Sequence, residues 1–143
     1  MGCQVFLKDS AIEVVGTERL TGIDVDMNEI SDTSLTLAAI APFAEGKTTI
    51  RNIEHIRWQE TDRIHAVVTE LRKLGVSVTE YDDAIEIEPV SEIQPAEIDT
   101  YHDHRMAMSF SLIGIKKPGI KIKNPCCVNK TFPTFFDVLA GLN

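Results

Sequence analysis

Leu74-Gly75-Val76-Ser77-Val78 and Asp82-Asp83-Ala84-Ile85-Glu86-Ile87 repeat a pattern already laid down by Met1-Gly2-Cys3-Gln4-Val5 and Asp9-Ser10-Ala11-Ile12-Glu13-Val14. Gly2 and Gly75, Asp9 and Asp82, and Gly46 and Gly119 are each 73 positions apart. An offset kept over such a distance marks a supersecondary unit used twice. The first residues fall in mid-unit, so the 143 residues read as roughly two copies.

Each copy opens on a hairpin: residues 5–7 and 11–15 around Lys8-Asp9-Ser10, then residues 76–80 and 84–88. An extended stretch follows, 22–27 or 96–101. A helix comes next, 33–44 with Ser31 or Asp32 as cap, and 104–115 with Asp103 as cap. Both helices are apolar almost all round, the profile of a helix buried within sheet. Gly46 and Gly119 end them, and strands 48–53 and 120–123 come after. The unit finishes in a second helix. Residues 60–74 set Ile64, Val67, Val68, Leu71 and Leu74 on one face, stop at Gly75, and place Arg72 and Lys73 in the last turn. Its counterpart, 132–142, is broken by Pro133 and Gly141. Strands mixed with one wholly buried helix per unit predict an α/β fold of repeated units, with no linker between them.

Composition narrows the function. Twenty-two acidic against 14 basic side chains give a net charge of −8, which argues against a nucleic-acid partner, since phosphate backbones are held by surplus Lys and Arg. A small anionic ligand answers to a local cluster and is not excluded. The longest apolar runs, such as 35–41, fall short of the roughly 20 residues that cross a bilayer, so no membrane partner is expected. The cysteine count is odd, Cys126 and Cys127 are adjacent, and no Cys-x-x-Cys occurs, so a reduced, cytoplasmic chain is expected. Met1-Gly2-Cys3 lacks the Ser or Thr of an acylation signal at position 6, where Phe6 stands. Asn129-Lys130-Thr131 reads as a chance glycosylation triplet in a chain with no secretory signal.

The unusual residues gather at loop-to-helix junctions, where free N–H groups already favour anions. Asp32 lies at one, Glu60 and Arg63 at a second, His102, Asp103, His104 and Arg105 at a third, and Lys130 at a fourth. Each has a structural reading as cap, first-turn acid or polar loop residue. Arg105 strains that reading, because it opens an otherwise apolar helix where an unpaired guanidinium is costly to bury. With Arg63 and Lys130 it makes three cations at equivalent ends of repeated elements, suited to gripping phosphate or carboxylate oxygens. Asp32 and Glu60 lie among them, available for proton transfer. His102 and His104 alone are a weak metal site, and none is expected.

Asp26-Met27-Asn28 with Ser31-Asp32, Glu60-Thr61-Asp62-Arg63 with Thr69-Glu70-Leu71-Arg72-Lys73-Leu74-Gly75, Asp103-His104-Arg105-Met106-Ala107-Met108, and Lys130-Thr131-Phe132-Pro133 resemble the 5-enolpyruvylshikimate-3-phosphate synthase family, in its order and at compatible spacing along the whole chain. The resemblance implies a two-domain fold in which each domain has three βαβαββ units around buried helices, an inside-out α/β barrel. Residues 1–143 match about two of the three units of the C-terminal domain; the N-terminal domain and the first unit have no counterpart, so a domain fragment is expected.

The activity implied is transfer of the enolpyruvyl group of phosphoenolpyruvate to the 5-hydroxyl of shikimate 3-phosphate with release of phosphate, in the shikimate pathway to aromatic amino acids, without metal or organic cofactor. By resemblance Arg63, Arg105 and Lys130 bind phosphoenolpyruvate, Asp32 is the base for the attacking hydroxyl, and Glu60 is the acid/base at the methylene carbon. A carboxyl that alternates roles works best with its pKa raised by burial. Asp32, His55 and Gln59 fall on the shikimate 3-phosphate side, and His104 supports the ligand-binding Arg105. Two departures lie on that side: Gln59 stands where members often carry Lys, and His55 where they often carry Asn. The competing readings are enolpyruvyl transfer to a UDP-sugar, and a catalytically silent anion-binding fragment. A chain lacking a unit is also expected to expose an apolar face and to self-associate.

Overall fold

The computed structural model describes residues 1–142. The two hairpins form where the alternation places them. Strands β1 (Gln4–Leu7) and β2 (Ile12–Val15) pair antiparallel, Gln4 opposite Val15 and Leu7 opposite Ile12. The second hairpin, Val78–Glu80 with Ile85–Ile87, keeps the same antiparallel pairing. Numbered along the chain, the remaining strands are β3 (Leu20–Thr21), β4 (Asp24–Asp26), β5 (Ala44–Glu45), β6 (Thr48–Arg51), β7 (Val78–Glu80), β8 (Ile85–Ile87), β9 (Ala96–Ile98) and β10 (Ile120–Ile122). One sheet has the order β4-β6-β8-β7; β9 and β10 form another, and β1–β2 and β3–β5 are separate pairs.

Parallel neighbours cannot be joined by a tight turn, so each parallel pair encloses a helix. Helix α1 (Ser34–Ile40) links β4 to β6, and its counterpart His104–Lys116 links β9 to β10. The other helices are α2 (Arg63–Lys73), α3 as just given for His104–Lys116, and α4 (Phe135–Ala140). The hydroxyls of Thr36 in α1 and Ser109 in α3 meet at 3.1 Å, and these residues are themselves 73 positions apart, so the two copies touch at equivalent points. Leu35, Ile50, Val67, Ile87 and Phe110 belong to one continuous core.

Several boundaries differ from the sequence reading. The first buried helix stops at Ile40 and passes into a 3-10 turn, Ala41–Phe43, at Pro42. Its N-terminus has no side-chain cap: Asp32 is drawn to arginines and the Ser31 hydroxyl to His55, partners that outcompete a backbone N–H. Gly46 follows β5 and does not end the helix directly. Helix α2 begins at Arg63, not at residue 60, because Asp62 accepts the His65 N–H at 3.0 Å and caps it there. That leaves Glu60 in the preceding loop. Gly75, at φ +82°, closes α2 in the left-handed region that admits glycine without strain. Helix α4 is six residues, shorter than 132–142, since Pro133 keeps the segment before it in a turn. The second buried helix does sink into the core, but α1 leaves Thr36 exposed, as is Thr33 just before it, so it is not wholly buried as its composition predicts.

Candidate active site

Four junctions converge because the helices on which they sit pack together. Asp32 lies in the last turn of a 3-10 segment, Asn28–Thr33, ahead of α1; Gln59 and Glu60 follow a second, Glu54–Trp58; and Lys130 ends a third, Pro125–Lys130. Asp103 caps α3 by accepting the Arg105 N–H at 2.8 Å. Arg63, the first residue of α2, lies at the centre and is only 1% exposed.

A guanidinium has five N–H donors, and those of Arg63 are fully engaged. Nε donates to Asp103 Oδ2 at 2.7 Å, Nη1 to Asp32 Oδ1 at 3.0 Å and to Gln59 Oε1, and Nη2 to Glu60 Oε2 at 2.7 Å and Asp103 Oδ1 at 3.4 Å. Burial opposes its charge, but Asp103, Glu60 and Asp32 outweigh that and raise its pKa. The network continues to the surface on both sides: Arg105 Nη2 lies 2.6 Å from Asp32 Oδ2, and Lys130 Nζ donates to Glu60 Oε1 at 2.6 Å. Three cations therefore alternate with three carboxylates, and only Arg63 and Asp103 are buried deep within.

Glu60 sits in the opposite electrostatic state from the one its implied role favours. Its hydrogen bond from Lys130, with the nearby Arg63 charge, holds its pKa down to about 2, so it is ionised at neutral pH. His104 is buried, and burial lowers its pKa, so the ring is neutral at that pH. Its Nδ1 is buried without a hydrogen-bond partner among the described residues. His55 Nε2 lies 2.8 Å from the Ser31 hydroxyl, joining the first two junctions. His102 is on the surface beside Asn124, Nδ1 to Nδ2 3.1 Å, away from His104's buried ring. Among the described residues no group of three or more His, Cys, Asp or Glu is placed to hold a metal ion, and no helix is long and apolar enough to cross a membrane.

Asp32, Gln59, Glu60, Arg63, Arg105 and Lys130 are thus one connected cluster, with His55 joined to Ser31 beside Asp32 and the buried His104 next to Asp103. Three supporting residues escaped the sequence reading. Asp103 was legible as a cap but is also the buried counter-charge of Arg63. Arg57 clamps the Asp62 cap, donating from Nη1 to both its oxygens at 2.8 and 3.0 Å, and also binds Glu80 and the Tyr81 and Asp82 carbonyls. Glu70 is fully buried and takes the Tyr101 hydroxyl at 2.7 Å, Lys73 Nζ at 2.8 Å and the Asp99 N–H at 3.1 Å. It thereby holds the turn before α3, where Tyr101 and His102 have φ of +54° and +58°, unfavourable for side-chain-bearing residues. Glu70 lies on the apolar face of α2 between Val67 and Leu71, the one signal in the sequence that points to a paired buried acid.

Residues 1–139 match the family described as EPSP synthase (3-phosphoshikimate 1-carboxyvinyltransferase). A 3-phosphoshikimate 1-carboxyvinyltransferase of Nostoc punctiforme is 62% identical over 136 residues, 95% of this chain and 32% of that protein. The chloroplastic protein of that name from Brassica napus is 46% identical, over 99% of this chain and 29% of its own length. The EPSP synthase structure from Acinetobacter baumannii superposes with a TM-score of 0.86 at 29% identity, covering 98% of this chain and 36% of that one. The enolpyruvyl transferase NikO from Streptomyces tendae shares the fold, with a TM-score of 0.77 at 22% identity and coverage of 100% and 33%. The chain thus spans about a third of the length of the curated relatives it matches, and it belongs to the EPSP synthase (3-phosphoshikimate 1-carboxyvinyltransferase) family.

Proposed function

We propose that these residues are part of the C-terminal domain of an enzyme that transfers the enolpyruvyl group of phosphoenolpyruvate to the 5-hydroxyl of shikimate 3-phosphate, releasing phosphate. The observation that carries the reading is the convergence of Arg63, Arg105 and Lys130 on the two carboxylates Asp32 and Glu60. The family match favours the shikimate acceptor over a UDP-sugar. The three free cysteines fit a reducing, cytoplasmic setting.

The geometry suggests how the roles divide. Lys130 and Arg105 reach solvent and can turn to an incoming phosphate or carboxylate, while Arg63 supplies a fixed positive charge beneath them. A ligand anion that takes Lys130 removes the hydrogen bond holding Glu60 down and adds a negative charge beside it. Both effects raise the Glu60 pKa, so substrate binding itself prepares Glu60 to protonate the methylene carbon. Asp32, freed from Arg105 by the same anion, becomes available to the attacking hydroxyl. His55 and Gln59 border the acceptor side, and buried His104, between the cap Asp103 and Arg105 in the chain, supports the ligand-binding Arg105.

A specific observation favours a silent isolated chain. The three cations are already matched by three carboxylates, so little net positive charge remains for a multiply charged substrate. The remainder of the enzyme, with its N-terminal domain, must add the missing cations. The test replaces the matching third of the Nostoc punctiforme relative with residues 1–143 and measures phosphate release from both substrates. Turnover by the chimera, background by the chain alone, and a loss of roughly a hundredfold or more in the Glu60→Gln chimera are expected. A folded chimera that binds neither substrate would overturn the assignment, and turnover by the chain alone would overturn the fragment reading.

A further inference from the structure

Helix α2 grips the segment ahead of α3 at two places. Arg63 and Glu70 are seven residues apart in α2, so they share a face and lie about 10 Å apart along its axis. Both are buried, at 1% and 0% exposed. Arg63 holds the Asp103 carboxylate through Nε at 2.7 Å and Nη2 at 3.4 Å. Glu70 accepts the Asp99 N–H on Oε2 at 3.1 Å and the Tyr101 hydroxyl on Oε1 at 2.7 Å. Residues 99–103 are therefore held at both ends and in the middle by one helix.

The first grip belongs to the anion site; the second has no part in it so far. Among the described residues the hydrogen-bond partners of Glu70 are Asp99, Tyr101 and Lys73, and Lys73 supplies its counter-charge at 2.8 Å. Burial and the bond to Glu70 push the Tyr101 hydroxyl up to about 12, so it stays a donor through the neutral range.

The shape of the held segment shows what the second grip is for. Tyr101 and His102 are consecutive left-handed residues, a path that side-chain-bearing residues keep only where their surroundings over-determine it. Their equivalents 73 positions earlier, Asn28 and Glu29, have no positive φ. The strain is thus confined to the copy in which α2 supplies a buried acid. The turn delivers Asp103, whose N–H donates to the Thr100 carbonyl at 2.8 Å and whose Oδ1 accepts the Arg105 N–H at 2.8 Å. Its path accordingly sets both the counter-charge of Arg63 and the start of the helix that carries Arg105.

We propose that Glu70 is a positioning residue for anion binding: it fixes the turn 99–103, so that Asp103 orients Arg63 and α3 presents Arg105 to the same ligand. The proposal rests on the reading of Arg63 and Arg105 as phosphoenolpyruvate ligands. If the turn relaxes, the Asp103 carboxylate and the first turn of α3 move together, and the two guanidiniums lose their common aim.

The test places Glu70→Leu, Glu70→Gln and Tyr101→Phe in the chimera with the Nostoc punctiforme relative. Glu70→Leu should raise the KM for phosphoenolpyruvate roughly tenfold or more, and that for shikimate 3-phosphate less than about threefold. Tyr101→Phe removes one hydrogen bond and no charge, so it spares the fold, and should raise the first KM roughly threefold. Glu70→Gln keeps an acceptor for the Asp99 N–H and should fall between the wild type and Glu70→Leu. A residue serving stability alone would lower Tm and leave both KM values of the folded enzyme unchanged. That result overturns the proposal, as does an equal rise in both KM values. A second readout needs no turnover. With nitrogen-15 arginine in the chimera, the Arg63 Nε–H is the signal lost in Arg63→Lys, and in Tyr101→Phe it should exchange with solvent roughly tenfold faster. Unchanged exchange overturns the proposal. A wild-type chimera that binds neither substrate overturns the functional assignment instead, and faster exchange in that same protein would still place Glu70 and Tyr101 behind Arg63.

Discussion

The hairpins β1–β2 and β7–β8 share a sequence pattern, a strand pairing and a turn, yet their surroundings differ completely. Ile85 and Ile87 are 2% and 0% exposed, and their equivalents Ile12 and Val14 are 70% and 59% exposed. Alternation therefore specifies a strand and its partner across the turn, while burial is decided by whether β6 and a helix face lie beside it. The contrast can be broken by truncating equivalent residues. Ile87→Ala should cost about 2–5 kcal/mol, because it opens a cavity in a filled core. Val14→Ala should stay within about 0.5 kcal/mol in dilute solution. Urea denaturation of both variants checks the pair, and equal losses would mean that β1–β2 is packed as tightly as its counterpart.

The turns sharpen the comparison. That of β7–β8 is held by Arg57, which donates to the Tyr81 and Asp82 carbonyls at 2.7 and 2.8 Å and to Glu80. Across that of β1–β2, among the described residues, the one side-chain ion pair is the exposed Lys8–Glu13 pair. Arg57→Ala should cost about 2–3 kcal/mol, since it strands partly buried charged acceptors, whereas Lys8→Ala should cost at most about 0.5 kcal/mol. Amide exchange gives a smaller and more local reading: the β1–β2 amides should exchange well before those of β7–β8, because a two-stranded ribbon opens without disturbing the core.

The same division separates what the sequence made legible from what it hid. The repeat located both hairpins and both buried helices, since periodicity and glycine punctuation are local signals. The helix starts were misplaced where a side chain had a stronger call elsewhere. Asp32 could not be told from a cap until Arg63 and Arg105 were seen beside it, 31 and 73 residues away. Asp62, which the pattern places within the helix, instead caps it, and so leaves Glu60 in a loop. The site residues themselves were legible as charges at junctions and by resemblance. Their mutual neutralisation was not, because it depends on how α1, α2 and α3 pack, as does the buried pairing of Glu70 with Tyr101.

The smallest expected effect separates the site from the hairpin wired to it. Arg57 and Asp62 connect β7–β8 to the start of α2, while Lys130 approaches Glu60 from the opposite side. Lys130→Ala should therefore change the titration of Glu60 and leave the amide exchange of β7–β8 untouched. Lys130 is mostly exposed, so the stability change should stay within about 1 kcal/mol. The titration change should be plain. The Lys130 hydrogen bond is the largest influence lowering Glu60 to about 2 from an ordinary 4.5, and removing it should move the value back towards 4.5. A carboxylate whose folded pKa is depressed stabilises the fold above its unfolded pKa and loses that contribution as pH falls through the folded one. The wild-type chain should accordingly shed the Glu60 contribution between pH 4.5 and about 2, and the variant should have less to shed. Carbon-13 titration of the glutamate carboxyls reads both. An unchanged Glu60 in Lys130→Ala would assign its ionised state to Arg63 alone, and would remove the step by which anion binding at Lys130 prepares Glu60 for proton transfer.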